Sequence, residues 1–247
     1  MRDLRAMRLV APVPPPTTLD WISGLPVDLQ MFLNDSLGDC TIAGIYHSIL
    51  VWLFLANPPT DLGSNTNVQL MYEKICGYVP GKPSTDQGGA EQDVLTYWLN
   101  QGVPTAAGIN KLLAFVEADP QNINGIKWGI NDCGIVYIGF QLPKSFLDAL
   151  DSGVVPDVWD IVPNDTLTNK GHCVILVPKY DENKVSLISW GRLYEMTWNM
   201  FKFCVDEAYP LASKDWITAK GTSPGAEGGE GLTVAQLEEK MQGLKEN

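Results

Sequence analysis

The chain has 247 residues, of which 45% are hydrophobic, and its formal net charge is -12 with only 17 Lys and Arg residues. This length and apolar content suit one two-lobed domain or two small domains, and we expect one compact unit. The acidic balance, with no basic stripe interrupted by aromatic residues, argues against a nucleic-acid partner and is typical of a soluble protein.

The N-terminal segment, residues 1–18, is predicted to be an extended arm, because its clustered prolines fix φ and remove backbone donors. Arginines precede the prolines without an apolar block or a cleavage signal, so we expect no signal peptide. The longest apolar stretch, residues 42–56, is shorter than the ~20 residues that span a bilayer. We therefore expect no membrane insertion.

A helical lobe is predicted over about residues 40–120. Residues 40–57 are apolar nearly all round, which is typical of a central helix buried on most faces, and the sequence Asn57-Pro58-Pro59 ends this pattern. Further helices are predicted at residues 71–78, 91–101 (ending at Gly102) and 110–118.

A sheet lobe is predicted over about residues 130–218. Runs of β-branched and aromatic residues are typical of antiparallel strands, and they occur at residues 134–143, 172–180 and 184–190. The short connection YDEN between the last two runs favours a hairpin. The predicted fold class is therefore α+β, with a helical lobe followed by a lobe built on an antiparallel sheet or barrel.

The C-terminal part is predicted to be a flexible linker followed by a helix. Residues 219–231 are rich in glycine and polar residues, which is typical of a linker. Residues 232–247 form an amphipathic pattern with Leu237, Met241 and Leu244 on one side. Such a helix either docks on the body of the protein or contacts a partner.

Cys40 stands where the central helix is predicted to begin. A thiol is nucleophilic as thiolate, and a helix N-terminus beside an imidazole lowers its pKa from about 8.5 towards roughly 3.5–7.5. The five cysteines are an odd number without a CxxC pair, which suits neither a disulfide framework nor a zinc site. We expect thiols in a reducing compartment, no metal site and no cofactor.

The chain contains two histidines, so a Cys-His pair must use His47 or His172. His47 lies seven residues after Cys40 in the same predicted helix, about 10.5 Å along its axis, and we interpret it as a packed helix residue. His172 begins a predicted strand, from which its side chain can project towards another lobe. His172 is therefore the candidate base.

Several short motifs along the chain agree in their order and spacing with one pattern. His172 follows Cys40 by 132 residues, within the ~130–150 of papain-type enzymes. Further motifs are Asp20-Trp21, Gly38, Gly88-Gly89 and Ser189-Trp190-Gly191. With these residues the chain resembles the papain family of cysteine peptidases over about residues 19–191, with Asn34 in the position of the family's glutamine and Gly102-Val103 in place of its Gly-Ile. The phrases GDCTIAG and MTWNMF also resemble small papain-like proteins of bacteriophages and bacteria.

The resemblance implies a papain-like two-lobed fold and assigns roles by position. Cys40 would attack a carbonyl, and His172 would move the proton between the thiol and the leaving amine. Asn34 occupies the position of the family's oxyanion-binding glutamine and is one methylene shorter. The remaining positions would bind or enclose a substrate, with Gly88 and Gly89 pairing with an extended chain and Trp190 shielding the dyad.

The sequence departs from the family at the third catalytic position. The family's orienting asparagine is replaced by Ile188, which can neither donate nor accept a hydrogen bond. Ser189 is its neighbour, but adjacent strand residues normally point to opposite faces, so we expect Ser189 to be a weak substitute.

Three functions therefore stay open. The first is a thiol hydrolase of peptide or isopeptide bonds. The second is a catalytically weak or inactive papain-fold binding or structural protein, such as a phage particle component, with the arm and the terminal helix making assembly contacts. The third is a peptidoglycan peptide hydrolase, since Asp39-Cys40-Thr41 resembles the signature of phage amidases, although these place the histidine closer. The expected partner is a polypeptide substrate or a protein, and the expected location is the cytoplasm or a virion.

Overall fold

The structure is a computed structural model that describes residues 14–56, 63–225 and 231–243. Most of the predicted N-terminal arm, residues 1–13, lies outside the described residues. The predicted central helix is confirmed as α1 (Cys40–Ala56), and its residues from Thr41 to Trp52 are all buried. The carbonyl of Asp39 starts the helix by accepting the N–H groups of Ile42 and Ala43.

Two more helices of the first lobe lie in the described part of the chain. Helix α2 (Asn65–Cys76) begins six residues before its predicted start, because the Ser64 side chain caps the Asn67 N–H, and it ends at Gly77 in the left-handed conformation. Helix α3 (Glu91–Asn100) agrees with its prediction to within one residue.

The helix predicted at residues 110–118 is wrong. Strands β2 (Val103–Thr105) and β3 (Gly108–Asn110) form a small hairpin, and β4 (Ala114–Phe115) pairs with β10 (Val205–Ala212) at the end of the main sheet. Helix α4 (Ile123–Cys133) follows instead. The Asn122 side chain caps this helix by accepting the Gly125 N–H, and Gly134 ends it in the left-handed conformation. These two residues are capping signals that the sequence-based predictions did not include.

Among the described residues, the second lobe is built on a sheet of eight strands in the order β4-β10-β5-β7-β8-β9-β6, with β1 added beside β7. The remaining elements of this lobe are β1 (Leu19–Asp20), β5 (Val136–Pro143), α5 (Lys144–Asp151), β6 (Val158–Trp159), β7 (Leu167–Tyr180), β8 (Lys184–Ser189), β9 (Arg192–Thr197) and α6 (Trp198–Cys204). All pairs are antiparallel except β6 with β9. The predicted hairpin between β7 and β8 is confirmed, with Tyr180 opposite Val185.

Strand β7 forms a wall between two hydrophobic cores. Its residues Cys173, Ile175 and Val177 pack into the core that contains α1, whereas Val174 and Leu176 pack into the core on the other side. This alternation follows from the pleat, which sends successive side chains to opposite faces. The strand therefore belongs to both lobes and separates the thiol-bearing helix from the second core.

The last helix, α7 (Val234–Gly243), docks on the body. The side chains of Thr233 and Gln236 bond to each other's backbone N–H groups in a capping box. Leu237 is 1% exposed and packs beside Ala114 and Ala212, whereas nothing is described of the side chain of Met241, and Leu244 lies outside the described residues. In the part of the chain that the structure describes, no helix is both long and apolar enough to cross a membrane.

Hydrogen bonds between Ser223 and Leu232 join the two ends of the predicted linker. The Ser223 N–H donates to the Leu232 carbonyl at 2.8 Å, and the Leu232 N–H donates to Ser223 Oγ at 2.9 Å. Residues 226–230 of this segment lie outside the described residues.

Candidate active site

The loop before α1 places a carboxyl group directly beside the candidate nucleophile. Asp39 is fully buried, and its Oδ1 accepts a hydrogen bond from Asn34 Nδ2 at 3.1 Å, whereas its Oδ2 has no partner. Desolvation raises the pKa of Asp39 to about 7, against the opposite effect of the Asn34 hydrogen bond. Asn34 thus lies at the start of α1, with one of its two amide N–H groups bound to Asp39.

The Cys40 thiol is the first side chain of α1 and is partly buried. Desolvation raises its pKa to about 12, while the Cys173 backbone N–H beside the sulfur acts in the opposite direction. The negative charges of Glu91 and Asp39 raise the pKa further. The expected lowering of the thiol pKa is therefore wrong for this structure, because close packing and acidic neighbours outweigh the helix N-terminus.

The His172 ring lies in a buried aromatic setting. It stacks on Trp190 with the ring centroids 4.7 Å apart and an interplanar angle of 13°, and it meets the edge of Phe140 at 5.7 Å. Its Nε2 is 2.8 Å from Ser189 Oγ. Desolvation lowers the pKa of His172 to about 4, so the imidazole is neutral at pH 7.

Ser189 and not Ile188 faces the histidine. Ile188 lies opposite Ile175 and packs into the core that contains α1. Because the β7–β8 register pairs even-numbered with odd-numbered residues, the face of His172 is shared by Ser189. The expectation that Ser189 points away from the ring is wrong. The register of the hairpin after Tyr180 could have indicated that Ser189 lies on the face of His172.

Trp190 owes its position to a tight turn. Trp190 and Gly191 join β8 to β9 and both have positive φ, 47° and 71°, as a two-residue hairpin turn requires. The Gly191 carbonyl accepts the Leu29 N–H at 2.9 Å, and a Cβ on Gly191 would lie 2.9 Å from the Gln30 carbonyl carbon. The turn is therefore held against the loop that precedes α1.

The paired glycines lie beside the start of α1. Asp86 Oδ1 accepts the Gly38 N–H and the Tyr72 hydroxyl, and this hydroxyl in turn accepts the Gly88 N–H at 3.0 Å. A Cβ on Gly89 would lie 2.4 Å from Cys76 Sγ. Close packing thus excludes a side chain at Gly89 and brings its backbone next to the first turn of α1.

The structure gathers the predicted residues into two groups. Cys40, Asn34 and the paired glycines surround the start of α1, while His172, Ser189 and Trp190 meet on the second lobe. The two groups approach where the Cys173 N–H faces the Cys40 sulfur, one residue after His172. Among the described residues, no hydrogen bond or ionic interaction joins the Cys40 sulfur to the His172 ring.

His47 has the packing role that the sequence predicts. Its Nε2 is 2.8 Å from the Gln30 carbonyl oxygen, and its ring packs against Phe32. Only 2% of the residue is exposed.

Two residues near the thiol were missed by sequence reasoning. Glu91 begins α3, and its Oε1 would be 2.6 Å from a Cβ on Gly139. Desolvation raises the pKa of Glu91 to about 7. Tyr137 donates its hydroxyl to the Thr41 carbonyl at 2.6 Å. Both residues come near Cys40 through tertiary packing, and neither belongs to a local motif that could have indicated it.

No protein-family model and no curated protein matches the chain. Solved structures do. Xylellain, a cysteine protease from Xylella fastidiosa, has a TM-score of 0.59 at 16% identity, over 81% of this chain and 87% of that chain. Digestive procathepsin L 3 from Tenebrio molitor larval midgut has a TM-score of 0.60 at 11% identity, over 85% and 74% respectively. Procathepsin B S9 from Trypanosoma congolense has a TM-score of 0.52 at 10% identity, over 82% and 79%. The predicted papain-like two-lobed fold is thereby confirmed.

Proposed function

We propose that this protein is a thiol-dependent hydrolase of peptide or isopeptide bonds, with Cys40 as nucleophile and His172 as base. The observation that carries the proposal is the position of Cys40, at the N-terminus of a buried central helix with its sulfur against the amide that follows His172. The solved structures that share this fold include cysteine proteases.

The neutral states of Cys40 and His172 favour proton transfer during the attack of the thiol, and not a thiolate–imidazolium pair formed beforehand. Burial raises the pKa of Cys40 to about 12 and lowers the pKa of His172 to about 4, so both groups are neutral at pH 7. As the sulfur forms its bond to the carbonyl carbon, the thiol proton would pass to His172. The leaving amine would take this proton as the C–N bond breaks, and water would then hydrolyse the thioester.

The oxyanion would be bound at the start of α1. The Cys40 N–H belongs to the first turn of a helix, whose N–H groups have no partner inside the helix. The second amide N–H of Asn34 is the other candidate donor. Gly89 would pair its backbone with an extended substrate, and Trp190 would exclude water from the imidazole.

A binding or structural protein on the same fold is the second candidate, of which a phage particle component is one version. It is favoured by the neutral, desolvated thiol and by the absence, among the described residues, of a bond between Cys40 and His172. Under this alternative the N-terminal segment and α7 would make assembly contacts with a protein partner.

The experiment that separates the two is alkylation of Cys40 by iodoacetamide as a function of pH, located by mass spectrometry. We expect His172→Ala to lower the rate at pH 7 by about 10-fold or more, since general-base assistance is lost. His47→Gln is the matched control, because it removes the other buried imidazole. Equal profiles for wild type and His172→Ala would support the binding protein.

The substrate class requires a second measurement. Wild type and Cys40→Ser are incubated with an unfolded polypeptide, an isopeptide-linked conjugate and purified peptidoglycan sacculi. We expect Cys40-dependent cleavage of the polypeptide or the conjugate. Cleavage of sacculi alone would support the peptidoglycan hydrolase instead.

A further inference from the structure

Ser189 is the hydrogen-bond partner of the candidate base. His172 Nε2 and Ser189 Oγ are 2.8 Å apart, and the two residues are 8% and 3% exposed. Among the described residues, this is the one hydrogen bond of the His172 ring. The serine hydroxyl can accept from an Nε2–H or donate to a bare Nε2, so the direction of this hydrogen bond corresponds to the tautomer of the neutral imidazole.

Two aromatic neighbours hold the plane of the His172 ring. Trp190 stacks on one face at 4.7 Å, and Phe140 presents a second wall at 5.7 Å. Trp190 is itself held by the turn at Gly191, which is bonded to Leu29. A 180° flip of the imidazole would keep the ring plane against Trp190 but would put a carbon in the place of Nε2 and so lose the hydrogen bond to Ser189.

We propose that Ser189 is the positioning residue of this site: its Oγ accepts the Nε2–H of His172 and thereby leaves Nδ1 unprotonated, ready to receive the thiol proton. This inference rests on the proposed function. Ser189 thus replaces the orienting amide that the sequence lacks at Ile188.

The same contact serves both protonation states of the ring. A neutral imidazole has one N–H, and if the serine hydroxyl donated to Nε2 instead, Nδ1 would carry the proton and could not act as a base. When Nδ1 accepts a proton, the Nε2–H bond to Ser189 remains. The serine oxygen then stabilises the imidazolium without any movement of the ring.

Nitrogen NMR of the imidazoles tests this directly, because the chain has two histidines and His172→Ala identifies the signals of one. In the wild type at pH 7 we expect His172 to carry its proton on Nε2. Ser189→Ala should give a mixture of both tautomers, and Ser189→Asn should restore the wild-type form. A wild-type His172 protonated on Nδ1 overturns the proposal without any variant.

The matched control is Ser186→Ala, which removes another buried serine of β8, on the opposite face. In hydrolysis assays we expect Ser189→Ala to lower kcat by about 10- to 100-fold, part of the ~10²–10⁴-fold that general-base catalysis contributes. Ser189→Asn should recover activity, and Ser186→Ala should retain it.

The two readouts separate the two proposals. The expected tautomers without hydrolysis by any variant would refute the proposed function and support the positioning role. Hydrolysis by Ser189→Ala at the wild-type rate, with an unchanged tautomer and pH profile, would refute the positioning role and leave the hydrolase intact.

Discussion

The buried carboxyl group of Asp39, next to Cys40, has a consequence for stability. The pKa of Asp39 rises from 3.8 to about 7 on folding, mainly through desolvation, so the folded chain binds a proton more tightly than the unfolded chain. The contribution to stability is therefore complete below about pH 4 and is lost as the pH rises through 7.

Asp39→Asn should remove this dependence. Between pH 5 and pH 8 we expect the free energy of unfolding of the wild type to fall by about 2–3 kcal/mol more than that of the variant, at ~1.4 kcal/mol per pKa unit. Urea unfolding at the two pH values measures it. Asp28→Asn, which alters an exposed carboxyl of the same loop, is the control and should behave like the wild type. Parallel changes in Asp39→Asn and wild type would contradict the assignment.

The candidate site could be predicted in part from the sequence. The position of Cys40 at a helix start followed from the apolar run and its proline stop. The environment of the thiol could not be predicted, because it depends on Glu91 and Cys173, which arrive from other elements. Ser189 was misjudged because its face depends on the register between two strands and not on the spacing to His172.

The turn between β8 and β9 connects strand geometry to the site. Gly191→Ala should destabilise the fold, since the position has a φ of 71° and its Cβ would lie 2.9 Å from the Gln30 backbone. Gly153→Ala is a matched control with a φ of 76° and nothing within 4 Å of the added carbon. We expect the loss at Gly191 to exceed that at Gly153 by ~1–3 kcal/mol in chemical unfolding.

Equal losses for both glycines would show that conformation alone matters and that the contact with Gln30 does not. Tryptophan fluorescence gives a second comparison. Gly191→Ala should also alter the Trp190 environment, whereas Gly153→Ala should leave it unchanged.

At the scale of elements, α1, α3, β5, β7 and β8 were predicted from their sequence patterns, whereas α4, β4 and β10 were not. The apolar run of α1 and the branched residues of β5, β7 and β8 correspond to burial that any fold must satisfy. The helix predicted at residues 110–118 was wrong because this region contains β4, a strand of only two residues that is defined by its pairing with β10. A two-residue strand has no periodicity of its own.

Docking of α7 makes the C-terminal segment part of the folded body. Leu237→Ala should release this helix, because truncating a buried leucine costs about 2–5 kcal/mol. We expect amide hydrogen exchange in α7 to accelerate by about 30-fold or more while α1 stays protected. Glu239→Ala, an exposed change in the same helix, should have no such effect. Slow exchange in Leu237→Ala would mean that other contacts hold the helix.

The overall architecture was predictable because helical and β patterns separate along the chain, and α+β folds keep such segments in distinct layers. The position of β10 in the sheet was not predictable. This strand is far from β5 in the sequence, yet it pairs with β5 on one side and with β4 on the other. Pairing between distant segments leaves no trace in local composition.

The shared wall formed by β7 limits how the lobes can move. Alternate side chains of β7 pack in two different hydrophobic cores. A large hinge motion between the lobes would therefore disrupt the packing of one core or the other. Under the proposed function, the side chains of Cys40 and His172 would therefore have to meet without a wide movement of the two lobes.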